Sequence, residues 1–131
     1  VNLMDGTLVE DEADHVVVDC GDVRHWIGHG VTGTRGMAVT VAVRPEKIRL
    51  SRDDGFELAA SVDAPPFNQA RGTVRDMAYF GDYTVYHLQL AGGRILKVSQ
   101  SNVERQPDRP LTWGDAACAS WSDLSQVVLP R

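Results

Sequence analysis

The sequence predicts an all-β protein: a small β barrel built from two imperfect repeats, with little or no helix. Three observations carry this. The stretch Val39–Leu50 begins as a strand in which Val39, Val41 and Val43 alternate with Thr40, Ala42 and Arg44, then runs into Arg44-Pro45-Glu46. Proline fixes its own φ and biases Arg44 toward extended backbone, so the strand ends there and turns. Short β-rich runs punctuated by Gly, Pro and Asp fill the rest of the chain, and no segment sustains a helical period. The two halves also echo each other. Gly6-Thr7-Leu8-Val9 answers Gly72-Thr73-Val74-Arg75, and Gly36-x-Ala38 answers Gly114-x-Ala116. Gly36 to Arg44 and Gly114 to Ser122 are both eight residues, so the register of the match holds.

In chain order, strands are expected near Gly6–Glu10, His15–Cys20, Arg24–Ile27, Ala38–Arg44 and Ile48–Ser51, with Asp53-Asp54-Gly55 as a turn. A further extended run, Phe56–Val62, leads to Ala64-Pro65-Pro66. Double proline cannot pair inside a sheet, which places the junction between a first half-barrel, about 1–63, and a second, about 64–131. The second half resumes with strands near Gly72–Ala78, Tyr83–Leu90, Arg94–Gln100, Ala116–Trp121 and Val127–Leu129. Ala91-Gly92-Gly93 supplies the positive φ that a tight hairpin needs.

At 131 residues the chain is long enough for a real core without staples. Apolar residues at 43% and charged residues at 24% are a globular mix, not a disordered one. No apolar run approaches the roughly 20 residues that cross a bilayer, and the first residues lack a secretory pattern. A net charge of −5, with scattered basic residues, argues against a general nucleic-acid binder. Cys20 and Cys118 form no CxxC. Two buried, reduced thiols are the reading, with a single disulfide between them left open.

No residue set points to catalysis. Gly28-His29-Gly30-Val31-Thr32-Gly33 fits GxGxxG literally, but it leads into a Val-alternating strand where dinucleotide binding needs a helix N-terminus. It reads as an inter-strand loop. No phosphate-binding GxxxxGK[ST] occurs, and Lys47 and Lys97 are the only lysines. His25 and His29 lack a third ligand at metal spacing, and with His15 and His87 they read as surface or barrel-rim histidines. Glu10-Asp11-Glu12 and Asp14 form a solvated acidic turn without the ligand alternation of a calcium loop. Tyr79-Phe80-Gly81-Asp82-Tyr83 sets aromatic rings around a Gly-Asp turn, where they either pack over the barrel end or anchor a partner. No metal or cofactor is expected in this chain.

Val43-Arg44-Pro45-Glu46-Lys47-Ile48, Tyr79-Phe80-Gly81-Asp82-Tyr83-Thr84-Val85-Tyr86-His87, Thr112-Trp113-Gly114-Asp115 and Val127-Val128-Leu129 together resemble the C-terminal transport-associated OB (TOBE) region of ABC-importer ATP-binding subunits. The branch most similar is the spermidine/putrescine one, putrescine type, and the resemblance spans Asn2 to Leu129. Arg-Pro-Glu after a strand marks the domain widely; the Tyr-Phe-Gly-Asp and Thr-Trp-Gly-Asp runs select the polyamine branch. The resemblance implies an OB-like, TOBE/MOP-like fold and a cytoplasmic subunit, peripheral on the inner face of the membrane. It also implies that ATP and Mg are bound by a nucleotide-binding domain absent from this chain. Leu124-Ser125-Gln126 only looks like part of a signature motif, because it lacks the glycines.

The resemblance further implies a non-catalytic, regulatory and dimer-contact role. The partners would be a second copy of the ATP-binding subunit, the membrane subunits through the missing domain, and a small regulatory ligand; no nucleic acid is implied. Arg44 and Glu46, astride Pro45, are expected to form a structural corner, and Gly81, Asp82 and Gly114 to set the other turns. Tyr79, Phe80, Tyr83 and Trp113 are the candidates for aromatic packing or subunit contact. Two alternatives stand beside this: a small-ligand sensor for an oxyanion or polyamine, and a nucleic-acid-binding OB protein.

Overall fold

Alternation of buried and exposed residues dictates the architecture, since a strand sends successive side chains to opposite faces. The computed structural model describes residues 1–28, 34–52, 67–102 and 111–130. These form strands β1 (Asn2–Asp11), β2 (Val16–Asp19), β3 (Arg24–Ile27), β4 (Ala38–Val43) and β5 (Arg49–Arg52). There follow β6 (Phe67–Tyr79), β7 (Tyr83–Leu90), β8 (Ile95–Ser101), β9 (Ala116–Ser122) and β10 (Gln126–Pro130). Single 3₁₀ turns, Pro45–Lys47 and Asp123–Ser125, link β4 to β5 and β9 to β10. The described residues contain no α-helix.

The strands build two five-stranded antiparallel sheets, ordered β10-β4-β1-β2-β3 and β5-β9-β6-β7-β8. Both orders are the same if β1–β5 and β6–β10 are equivalent and each repeat lends its fifth strand to the other's sheet. β5 pairs with β9 and β10 with β4, so the halves interleave. Met4, Leu8, Ile27 and Val41 from one sheet and Leu88, Leu96, Val98 and Trp121 from the other belong to a single buried cluster.

The repeat extends to individual hydrogen bonds. β1 bulges between Leu8 and Glu10, and β6 between Val74 and Asp76. At the first bulge Leu8 N–H donates to Met37 O at 3.0 Å and Gly36 N–H to Leu8 O at 2.7 Å. At the second, Val74 N–H donates to Asp115 O at 2.9 Å and Gly114 N–H to Val74 O at 2.8 Å. Gly36 and Gly114 both sit at positive φ, +91° and +83°, where a side chain is strained. Arg44 and Ser122, eight residues on, are the N-caps of the two 3₁₀ turns. The duplication expected from the sequence is present in the backbone.

Arg24–Ile27 and Tyr83–Leu90 coincide with the expected strands, but β1 and β6 begin earlier than Gly6 and Gly72. Near their starts Asn2 and Asn68 are buried amides, which interrupt the apolar alternation there. His25 corrects the expectation of a surface or rim histidine, because it is fully buried. Cys20 and Cys118 are free and buried. The expected strand Phe56–Val62, the double-proline junction and residues 29–33 of the glycine loop lie outside the described residues.

Candidate functional site

Strands β3 and β8 each end their sheet on one side, and their outward backbone groups need partners from elsewhere. Asparagine supplies both. Asn2 Nδ2 donates to Lys97 O at 2.8 Å while its Oδ1 accepts from Lys97 N–H at 2.8 Å. In the other repeat Asn68 Nδ2 donates to Trp26 O at 3.0 Å, and its Oδ1 accepts from Trp26 N–H at 2.6 Å. A primary amide presents a donor and an acceptor side by side, as a peptide group does, so each side chain continues the ladder across the seam between sheets.

The seam at β3 carries further polar side chains. Gln126 Nε2 donates to Trp26 O at 3.1 Å, Trp121 Nε1 donates to Gln126 Oε1 at 3.0 Å, and His25 Nδ1 lies 2.5 Å from the same oxygen. The buried Asp123 accepts from Gly28 N–H at 3.0 Å. His25 Nε2 is buried without a hydrogen-bond partner. Burial pushes the His25 pKa down to about 4, against the opposing hydrogen bond to Gln126. Where the β2–β3 and β7–β8 turns meet, Arg94 Nε pairs with Asp22 at 3.0 Å and Arg94 Nη2 donates to Cys20 O at 3.2 Å. These groups are structural: Trp121 and Arg94 reach from one repeat's sheet to the other, while Gln126 joins β10 and β3, the two end strands of the first sheet.

The residues singled out from the sequence form two separate places. At the β6–β7 tip Gly81 has φ +90°, and the Phe80 and Tyr83 rings stack at 5.0 Å. Tyr79 is 73% exposed and Trp113 60% exposed. The Trp113 indole donates to Asp76 Oδ1 at 3.4 Å, which sets it over β6, three residues before Tyr79. These rings therefore face outward and do not pack into the barrel. Asp82 O accepts from Asn102 N–H at 2.7 Å, and Asn102 Nδ2 donates to Gly81 O at 3.1 Å.

At the other place, the Pro45 corner, backbone bonds close the turn: Lys47 N–H to Arg44 O at 3.0 Å and Ile48 N–H to Pro45 O at 3.4 Å. Arg44 provides no side-chain cap, and both Arg44 and Glu46 are exposed. A groove of about 530 Å³ runs from this corner to the aromatic tip, with Glu46, Lys47 and Arg49 on one wall and Tyr83, Ser99 and Ser101 on the other. Among the described residues no group of three or more His, Cys, Asp or Glu could hold a metal.

A third surface went unnoticed in the sequence. On the outer face of the first sheet Leu3, Ala42 and Val127 lie side by side across β1, β4 and β10, and Asp5, Thr40 and Leu129 form the next row. Leu3 is 58%, Val127 56% and Leu129 45% exposed. Thr40 Oγ1 donates to Asp5 Oδ1 at 2.6 Å. Val127-Val128-Leu129 read as an ordinary strand; only the partner strands place its outward residues in an apolar patch.

The TOBE domain model matches residues 41–129, so the chain belongs to the TOBE domain family. It is 33% identical over 134 aligned residues to the putrescine transport ATP-binding protein PotG of Escherichia coli (strain K12), covering 98% of this chain and 33% of that protein. It is 28% identical to the spermidine/putrescine import ATP-binding protein PotA of Thermobifida fusca (strain YX), over 98% of this chain and 31% of that one. Identity to the PotA of Thermotoga maritima is 29%, over 98% and 34% respectively. The chain thus spans about a third of the length of these relatives. Among solved structures, the molybdate-bound form of the cytoplasmic molybdate-binding protein ModG superposes with a TM-score of 0.77 at 17% identity, covering 99% of this chain and 96% of that one. That likeness identifies the fold. No helix among the described residues is long and apolar enough to cross a membrane.

Proposed function

We propose that this chain is the regulatory and dimer-contact domain of the ATP-binding subunit of a polyamine importer, with no catalysis of its own. The observation that carries the reading is the match of nearly the whole chain to one third of putrescine and spermidine import ATP-binding proteins. ATP and Mg belong to the remainder of such a subunit, which also engages the membrane subunits on the cytoplasmic face. The domain keeps two copies near each other while the ATPase lobes move, a gain in effective concentration. A ligand or protein that prefers one arrangement of the paired domains shifts the balance between the lobes' states by its differential affinity. Sedimentation of the purified chain over a concentration series, with and without putrescine or spermidine, tests this. Concentration-dependent association that the polyamine alters is expected; a chain that stays monomeric throughout, or hydrolyses ATP unaided, would refute it.

A second reading, direct sensing of a small ligand, draws on the groove between the Pro45 corner and β8. Its volume suits a small molecule, and it mixes Glu46 and Asp82 with Lys47 and Arg49. The ModG neighbour is described as binding molybdate. Calorimetry with putrescine, spermidine, molybdate and sulfate separates the two, because a purely mechanical domain releases no heat with any of them.

A further inference from the structure

The duplication provides an internal control, since equivalent positions in the two repeats share a backbone and differ in side chains. The β10–β4 and β5–β9 pairings make Asp123 the equivalent of Pro45, Ser125 of Lys47 and Val127 of Arg49. Trp26 and Lys97 are equivalent too, each held at both backbone groups by an asparagine, so Gly28 corresponds to Ser99. Beside β3, the outward N–H of Gly28 donates to the Asp123 carboxylate at 3.0 Å. Along β8, backbone direction alternates: Lys97 turns its N–H and C=O away from β7, toward Asn2, and Ser99, two residues on, does the same. Ser99 N–H therefore faces the groove between the Pro45 corner and β8, and Pro45 brings no side-chain oxygen to meet it.

The charges change along with the carboxylate. Where the first site has Ser125 and Val127, the second has Lys47 and Arg49, so two cations line the groove whose internal carboxylate has been replaced by proline. Both are exposed, and among the described residues neither forms an ion pair. Resting on the ligand-sensing reading above, we infer that this groove binds a small amino carboxylate. Its carboxylate sits by Ser99 N–H, Lys47 and Arg49, in the position that the Asp123 side chain holds in the other repeat.

The remaining charges select the other end of the ligand. Glu46, whose equivalent is Leu124, and Asp82 bring two carboxylates to the same groove, which balance the two cations. A diacid would set its second carboxylate against Glu46 or Asp82, and a diamine would set an ammonium against Lys47 or Arg49. An amino carboxylate meets both signs and adds no net charge. Because the charged walls are solvent-exposed, the pairs are individually weak and screened by salt. Affinity on the order of high micromolar to millimolar is expected.

Calorimetry of the whole chain at low salt with 4-aminobutyrate, succinate and putrescine tests the class, because the three have four carbons each and differ in their charged ends. 4-Aminobutyrate should bind at least 10-fold more tightly than either, and its addition should shift the Ser99 amide in NMR spectra. Pro45→Asp restores the other repeat's carboxylate and should weaken binding at least 10-fold. Arg49→Val, also the other repeat's residue, should weaken it as well, with thermal unfolding confirming that both variants fold. If 4-aminobutyrate binds both variants as it binds wild type, or leaves the Ser99 amide unmoved, the site is overturned and the ligand-sensing reading stands. If succinate, putrescine, molybdate or sulfate binds more tightly than 4-aminobutyrate, the ligand class is overturned and the sensing reading again stands. No heat with any of the five overturns both.

Discussion

Replacing Asn68 tests the seam most sharply. Asn68→Ala removes the acceptor for Trp26 N–H and one of two donors to Trp26 O, since Gln126 Nε2 still reaches that carbonyl. The carbonyl keeps a partner and the N–H loses the one it has across the seam. An unsatisfied buried donor costs about 1–3 kcal/mol, so the expected loss is about 2 kcal/mol, or roughly 8 °C in Tm for a domain of this size. Asn68→Asp preserves shape and the acceptor, but it sets a carboxylate oxygen against the Trp26 carbonyl in a buried site, and it should be at least as damaging as alanine. Urea unfolding with a shared m-value measures both. A double-mutant cycle with Gln126→Ala should show coupling above about 0.5 kcal/mol, because only the double variant orphans the Trp26 carbonyl. If Asn68→Ala lies within about 0.5 kcal/mol of wild type, or Asn68→Asp is neutral, the amide does not bridge the sheets.

Three further outcomes follow from the geometry. His25 is held neutral in the fold with its pKa lowered to about 4, whereas the unfolded chain takes up the proton near 6.5. Stability should therefore fall as pH drops from about 6.5 to 4, by about 3 kcal/mol; His25→Leu should flatten that slope in urea titrations, and an unchanged slope would exclude His25 as its source. Gly72→Ala would drive a Cβ into Gln89 O, a backbone atom that cannot step aside, so unfolding at much lower urea is expected, and wild-type stability would contradict the close approach. Arg44→Ala and Tyr79→Ala change exposed side chains. Calorimetric Tm values within about 2 °C of wild type are expected for both, and a large drop for Arg44→Ala would restore its side chain to the corner.

The strands were legible because Val39, Val41 and Val43, or Val85 to Leu90, alternate strongly enough to fix face and period. The duplication was legible because Gly6 and Gly72, and Gly36 and Gly114, are demanded by backbone that tolerates no Cβ or adopts positive φ. The exchange of β5 and β10 was not, since pairing partners distant in sequence leave no local periodicity. The seam was half-legible. Asn2 and Asn68 each stand four residues before the repeat glycine, so aligning the halves would have exposed them, but an isolated Asn reads as a turn residue. His25 was misplaced because its partners, Gln126 and Trp121, lie about a hundred residues away. The aromatic residues were found by type, but whether they packed or faced outward depended on where β6 and β7 stop.

Interleaving is tested most directly by dividing the chain between Asp63 and Ala64 and measuring circular dichroism and urea unfolding of each piece, alone and mixed. Each sheet lacks its fifth strand in a single piece. Neither piece should unfold cooperatively alone, and the equimolar mixture should regain a β spectrum and one cooperative transition. A piece that folds cooperatively by itself, with stability unchanged by the other, would contradict a fold in which the two repeats complete each other.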